Sequence, residues 1–160
     1  MNANQIILQL NLQKHPEGGY YKETYRDDRI VSFDKGEERS ASTAIYYMLI
    51  GKDKSHFHKV ASDELWFFHK GETIEIFIIE DDGSMRVELL GNSIEDGESP
   101  QVIVKRNQWF AAKIKSGKGY SLVSCTVAPG FEFKDFELAD KNYLLKQYPK
   151  LQSIIEDLSL

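Results

Sequence analysis

Residues 55–71 read SHFHKVASDELWFFHKG, and the way this stretch folds decides what the chain is. Successive side chains of a β-strand alternate between its two faces, so residues two apart project together. If 55–59 is extended, His56 and His58 point the same way and Phe57 points away. The segment ASD at 61–63 has turn chemistry, and ELWFFH at 64–69 reads as the next strand. Glu64 can then face back across the hairpin. Two imidazoles and a carboxylate around one point suit a divalent transition metal (Zn, Fe, Mn or Ni) with positions left open for water or substrate. The plainer reading is a barrel wall that happens to carry histidines. The downstream glutamate and the strand-rich surroundings favour the cage.

Outward from this stretch the pattern is that of an all-β protein. TAIYYMLI (43–50), TIEIFIIE (73–80), MRVELLG (85–91), PQVIVKR (100–106), WFAAKI (109–114) and YSLVSCTVA (120–128) are rich in Ile, Val, Tyr, Phe and Thr. Gly, Asp, Ser and Lys cluster between them at 51–53, 70–71, 81–83, 96–97 and 115–119. Short strands at such regular spacing predict a sandwich or barrel rather than alternating βα units. At the N-terminal end Ile6, Ile7 and Leu10 have helical spacing, and HPEGG then marks a turn before an alternating segment. From Asp140 the period-2 pattern stops. Tyr143, Leu144, Gln147 and Tyr148, then Leu151, Ile154, Ile155 and Leu158, fit helix faces broken at Pro149. Residues 1–160 are read as one domain without repeat or linker.

Composition narrows the function classes. With 20 basic and 25 acidic residues the net charge is −5, which argues against non-specific nucleic-acid binding. Cys125 is the one cysteine, so no internal disulfide forms and a reduced, cytoplasmic setting is expected. No basic leader precedes an apolar run, and no window approaches the ~18–20 apolar residues of a membrane span, so neither a secretory signal nor a membrane partner is expected. Walker A loops, G-x-G-x-x-G turns and G-x-S-x-G elbows are absent, leaving triphosphatase, dinucleotide-dehydrogenase and serine-hydrolase readings without support.

At this point the chain resembles the cupin superfamily, whose first motif runs G-x5-H-x-H-x3–4-E-x6-G. Gly51, His56, His58, Glu64 and Gly71 follow it, with the Gly-to-His gap one shorter and the His-to-Glu gap one longer. Asp63 restores the latter spacing and is a rival ligand. In the second motif Val104, Arg106 and Trp109 stand where the family has proline, glycine and its fourth ligand, histidine. An indole N–H only donates, so a metal here is held by three ligands or not at all. The chain is similar in particular to the DUF985 (Cupin_5) subfamily, through LNLQKHPEGGYYKETYR (10–26), FHKVASDELWFFHKG (57–71), the glycine and PQVIV stretch (91–104), QWFAA (108–112) and VAPGFEFKDFEL (127–138).

The resemblance implies a double-stranded β-helix, the cupin jelly roll, with short N- and C-terminal helices, and a homodimer formed through a sheet face. It also implies that Glu17, Tyr21, Glu23 and Arg26 line the barrel mouth, where Arg26 can pair with an anionic group of a ligand. The alternative for these residues is a solvated edge strand. Trp66 shares a strand face with Glu64, so Trp66 and Trp109 form either an aromatic wall for a sugar or base, or simply core. His69 reads as surface or dimer contact, His15 as a capping residue, Cys125 as a small buried thiol, and Phe131, Phe133 and Phe136 as packing anchors. The expected function is binding of a small polar metabolite such as a sugar. With metal on His56, His58 and Glu64 the chemistry is Lewis-acid catalysis. Without it His58 acts as base beside Tyr21, as in cupin-fold sugar epimerases, with Glu17, Arg26, Trp66 and Trp109 holding substrate. The competing expectation is a non-catalytic binding or sensor module.

Overall fold

Strand-forming sequence dominates the computed structural model, which describes residues 1–160. In chain order the elements are α1 (Ala3–Leu10), β1 (Gln13–Lys14), β2 (Tyr20–Arg26), β3 (Ile30–Ser32), β4 (Glu38–Ser40), β5 (Thr43–Ile50), β6 (Lys54–Val60), β7 (Asp63–Gly71), β8 (Ile74–Ile79), β9 (Met85–Leu90), β10 (Gln101–Val104), β11 (Phe110–Ile114), β12 (Tyr120–Ala128), β13 (Phe136–Leu138), α2 (Lys141–Gln147) and α3 (Gln152–Leu158). Two sheets pack face to face, one ordered β1-β2-β5-β12-β7-β10 and the other β13-β6-β11-β8-β9, with β3-β4 as a separate hairpin. All of these strand pairings are antiparallel. The architecture is the jelly-roll sandwich that the resemblance implies.

Period-2 alternation fills the space between the sheets. Ile74, Ile76 and Ile78 of β8, Phe110, Ala112 and Ile114 of β11, Tyr47 and Leu49 of β5, Trp66 of β7 and Val123 of β12 form the central core. The opposite face of the second sheet is covered as well. Phe57, Phe77, Ile79, Trp109 and Ala111 bury against Leu144 of α2 and Ile155 and Leu158 of α3. Burial on both faces is why β8 reads as the apolar run IFII after Glu75 instead of alternating. Trp109 therefore lies outside the sandwich, with the Lys59 ammonium 4.5 Å from the centre of its ring, and the expectation that it walls the cavity is corrected.

The helical ends carry their own stop and start signals. Asn2 and Gln5 form a reciprocal capping box on α1, and Ile6 packs with Leu12 on Met48 beneath. Asp140 caps α2 by accepting the Tyr143 N–H at 2.7 Å, and Pro149 opens the turn into α3. No helix is long and apolar enough to cross a membrane. The β3-β4 hairpin and β13, three residues per strand, are too short to show alternation in sequence.

Strand β6 is irregular where it pairs with β11. Phe110 pairs with His58, yet Ala112 pairs with Ser55, so β6 carries one residue more than β11 over this interval. Such a β-bulge shifts the phase of a strand. Ser55 and His58 both turn into the sandwich, Phe57 turns outward to the helices, and His56 is no longer on the face of His58.

Phe57 tests the outer layer directly. Phe57→Ala empties the contact between β6 and the helices and should cost about 3–5 kcal/mol of stability in urea unfolding. A loss below about 1 kcal/mol would mean that α2 and α3 contribute little to the fold.

Candidate functional site

The turn His15–Gly19 builds the site. Gly18 N–H donates to His15 O and His15 N–H to Gly19 O, each at 3.0 Å. Gly18 has φ +109°, and a Cβ there would sit 2.0 Å from the Lys54 carbonyl oxygen. Only a glycine lets the turn approach β6 this closely. The Glu17 carbonyl then accepts the His56 N–H at 2.8 Å and the His56 Nδ1–H at 2.7 Å, while Tyr47 Oη donates to Gly18 O at 2.7 Å. Pinned on both sides, Glu17 directs its carboxyl inward, to Ser55 Oγ at 2.8 Å and His58 Nε2 at 3.0 Å.

This carboxyl opens into a pocket at one end of the sandwich, formed by the first residues of β5 and β7 and the last of β6 and β12. Its polar lining is His15, Glu17, Tyr21, Tyr47, His58 and Glu64, with Cys125 beside them. Thr43, Ile45, Val60 and Val127 complete the walls, and Phe131 and Phe136 cover it. The free volume is small, about 40 Å3, so the site admits only a compact ligand. The cover is fastened by two arginines. Arg26 reaches Glu132 at 3.0 Å and Phe131 O at 2.9 Å, and the buried Arg39 makes two 2.7 Å bonds to Asp135.

Proton positions follow from the hydrogen bonds. His58 Nδ1–H donates to the His56 carbonyl at 2.7 Å, which leaves a lone pair on Nε2. A neutral ring can only accept from Glu17, so one proton is shared between Glu17 Oε2 and His58 Nε2. Burial agrees with the neutral form, pushing the Glu17 carboxyl up and the His58 imidazole down to about 4. Burial also lowers His15, whose Nδ1 accepts the Glu17 N–H at 3.1 Å. Glu64, 7% exposed, is pushed up to about 8, first by burial and then by the negative charge of Glu17. The same pocket therefore holds two carboxyls that resist ionisation.

Several expected residues come together here and others do not. Glu17, Tyr21, His58 and Glu64 share the pocket. His56 is turned out of it by the bulge, with Nδ1 bonded to the Glu17 carbonyl. Asp63, the rival ligand, is on the surface and accepts from the Arg106 N–H at 2.8 Å and Lys105 Nζ at 3.2 Å. No three His, Cys, Asp or Glu side chains are disposed to hold a metal ion, and both ring nitrogens of His58 are already engaged. The cage of His56, His58 and Glu64 is thus corrected, and these residues do not fit the expected metal. Arg26 pairs with Glu23 and Glu132 instead of facing the cavity, so its anion-binding role is corrected too. Trp66 is buried core, edge-on to Tyr47 at 5.4 Å, and lies outside the lining. Sequence reasoning missed His15, Tyr47, Phe131 and Phe136 as pocket residues. The Gly-Gly pair after His15-Pro16-Glu17 was the available signal, since a turn of that kind permits close approach.

Two facing antiparallel sheets with a polar pocket between them at one end define a protein of the cupin class. The chain belongs to the Cupin_5 family of the cupin superfamily (DUF985), which matches residues 4–139. It is 30% identical to the uncharacterized protein YML079W of Saccharomyces cerevisiae, over 84% of this chain and 73% of that one. A hypothetical protein from Leishmania major superposes with a TM-score of 0.92 at 34% identity, covering 99% of each chain. A protein from Shewanella oneidensis gives 0.91 at 37%, covering 100% of this chain and 98% of the other. Oxalate decarboxylase from Bacillus subtilis gives 0.57 at 12% identity, over 91% of this chain and 36% of that enzyme, which shows the fold alone.

The raised Glu64 pKa has a signed consequence. Between 4.5, its ordinary value, and about 8 the folded state keeps a proton that the unfolded chain releases. Stability from this group is therefore full below pH 4.5 and lost as pH rises through 8. His58 has the opposite sign, full above 6.5 and lost as pH falls through about 4. Above 6.5 the carboxyls act alone. Urea unfolding should show stability falling from about pH 6.5 to 8, with Glu64 contributing ~1.4 kcal/mol per unit and Glu17 adding to it, and Glu64→Gln should remove the Glu64 share of that slope. An unchanged slope in the variant would place the titration elsewhere.

Proposed function

We propose that the protein binds a small polar metabolite in this pocket and moves a proton on it. The observation that carries the reading is the Glu17–His58 pair, 3.0 Å apart, buried, and open to the cavity. One proton serves both groups. In its ion-pair form the Glu17 carboxylate, backed by the imidazolium and the Ser55 hydroxyl, can accept a proton from a carbon next to a carbonyl and return it. Tyr21, edge-on to His15 at 4.6 Å, lines the same space and can donate a hydrogen bond to the oxygen on which charge develops. Epimerisation or isomerisation is the reaction class this supports. The free space is narrow, which favours a compact substrate over a sugar nucleotide.

Solvent exchange tests this. Incubated in D2O with a metabolite pool, the protein should introduce deuterium at carbon into a specific compound, read by mass spectrometry. His58→Gln should slow that exchange by about 100-fold or more, in line with the loss of an acid–base group. Binding of a metabolite without exchange would favour the non-catalytic sensor, and equal exchange by the variant would remove His58 from the chemistry.

The reading includes a homodimer. Leu65, Phe67 and Ile103 leave apolar surface on the six-stranded sheet, outside the cluster that α1 covers. Light scattering at micromolar concentration should give twice the chain mass, and a monomeric mass would overturn the pairing.

A further inference from the structure

The pocket contains two buried carboxyls, and neither lysine nor arginine lines it. Glu17 is matched by Ser55 and His58. Glu64 is not matched. Its carboxyl lines the cavity without a hydrogen bond of ordinary geometry, and its polar neighbours, the Cys125 thiol and the Trp66 indole, favour its ionised form less than burial and Glu17 oppose it. Trp66 Nε1 is itself buried without a partner. The remaining walls are strongly aromatic, with Tyr21, Tyr47, Phe131 and Phe136 around the same space.

Each ligand class meets this wall differently. An anion would face two carboxyls with no lysine or arginine to receive it, and burial holds both imidazoles of the lining, His15 and His58, toward their neutral forms. A neutral polyol could bond to the carboxyls but would leave the cost of ionising them untouched. A cation reverses that cost, because it supplies the missing partner for a buried carboxylate, and aromatic rings attract it through their faces.

We propose that the ligand of this pocket is a small organic cation, a protonated primary amine, whose ammonium group is received by Glu64 among the aromatic rings. The inference rests on the reading of this pocket as the ligand site and narrows the ligand from polar to cationic. Binding then converts the Glu64 carboxylic acid to a carboxylate paired with the ammonium group and releases one proton to solvent. Burial and the nearby Glu17 keep Glu64 protonated up to about 8, so this release occurs across neutral pH.

Three probes of one shape and different charge test it: propylammonium, 1-propanol and propionate, titrated into the full chain and followed by NMR at Cys125, Val127 and Ile45. Propylammonium should perturb these signals at concentrations at least tenfold below the other two. Its Kd should fall about tenfold per pH unit up to about pH 8 and then level off, as loss of one proton requires. Calorimetry in two buffers of different ionisation enthalpy should show about one proton released near neutral pH. Glu64→Gln should weaken propylammonium at least tenfold and abolish the pH dependence. The pH profile and proton count are read on the unsubstituted protein, so a misfolded variant does not decide the matter. Equal or tighter binding of 1-propanol or propionate overturns the cationic ligand and leaves the pocket as a ligand site. Silence of the pocket signals to all three probes overturns both.

Discussion

The site depends on one insertion, the Glu17 side chain held inside the sandwich by a turn that touches β6. Two constraints act together. The backbone of His15–Gly19 can lie against the Lys54 carbonyl only because Gly18 has no Cβ. The Glu17 carbonyl is then bonded twice by His56, through its backbone and its ring. A buried carboxyl is costly unless its oxygens are matched, and Ser55 and His58 match them. Fold and chemistry therefore share the same few contacts. The turn orders Glu17, Glu17 orients His58, and the His56 carbonyl selects the tautomer that leaves His58 Nε2 facing Glu17.

The bulge in β6 is what allows this. A regular strand would place His56 and His58 on one face and carry Ser55 and Phe57 to the other. The extra residue lets Ser55 and His58 both reach Glu17 while Phe57 still packs beneath the helices. The same shift dissolves the His-x-His pair as a unit for metal ligation. One imidazole becomes half of a proton-sharing pair, and the other becomes a clamp on the turn.

Charge is distributed with similar economy. Two arginines, Arg26 and Arg39, are engaged by Glu23, Glu132, Glu37 and Asp135 in fastening the cover segment. That leaves the pocket with carboxyls, aromatic rings and two imidazoles that burial holds toward neutrality. Glu64, without a cationic partner of its own, stays protonated where an ordinary surface glutamate would be ionised.

Much of the fold was legible in the sequence. Period-2 runs located the long strands, with β5 and β12 falling within the bounds read for them, and Asp140 and Pro149 marked the start and the break of the C-terminal helical segment. Local side-chain chemistry sets these features, so a short window suffices. Which face a residue takes was legible only where the strand is regular. Trp109 shows the limit, since an apolar residue on a strand covered from both sides suits either face, and the helices decided for the outer one. His56 shows it again, because a bulge arises from pairing with β11, more than fifty residues away in the chain, and leaves no local signature. The pocket itself joins Glu17, His58, Glu64, Cys125 and Phe136, residues that meet only when the sheets close. Sequence alone therefore determined the strands and the candidate groups, and tertiary pairing decided which of those groups face one another, because register and burial are properties of partners and not of a single segment.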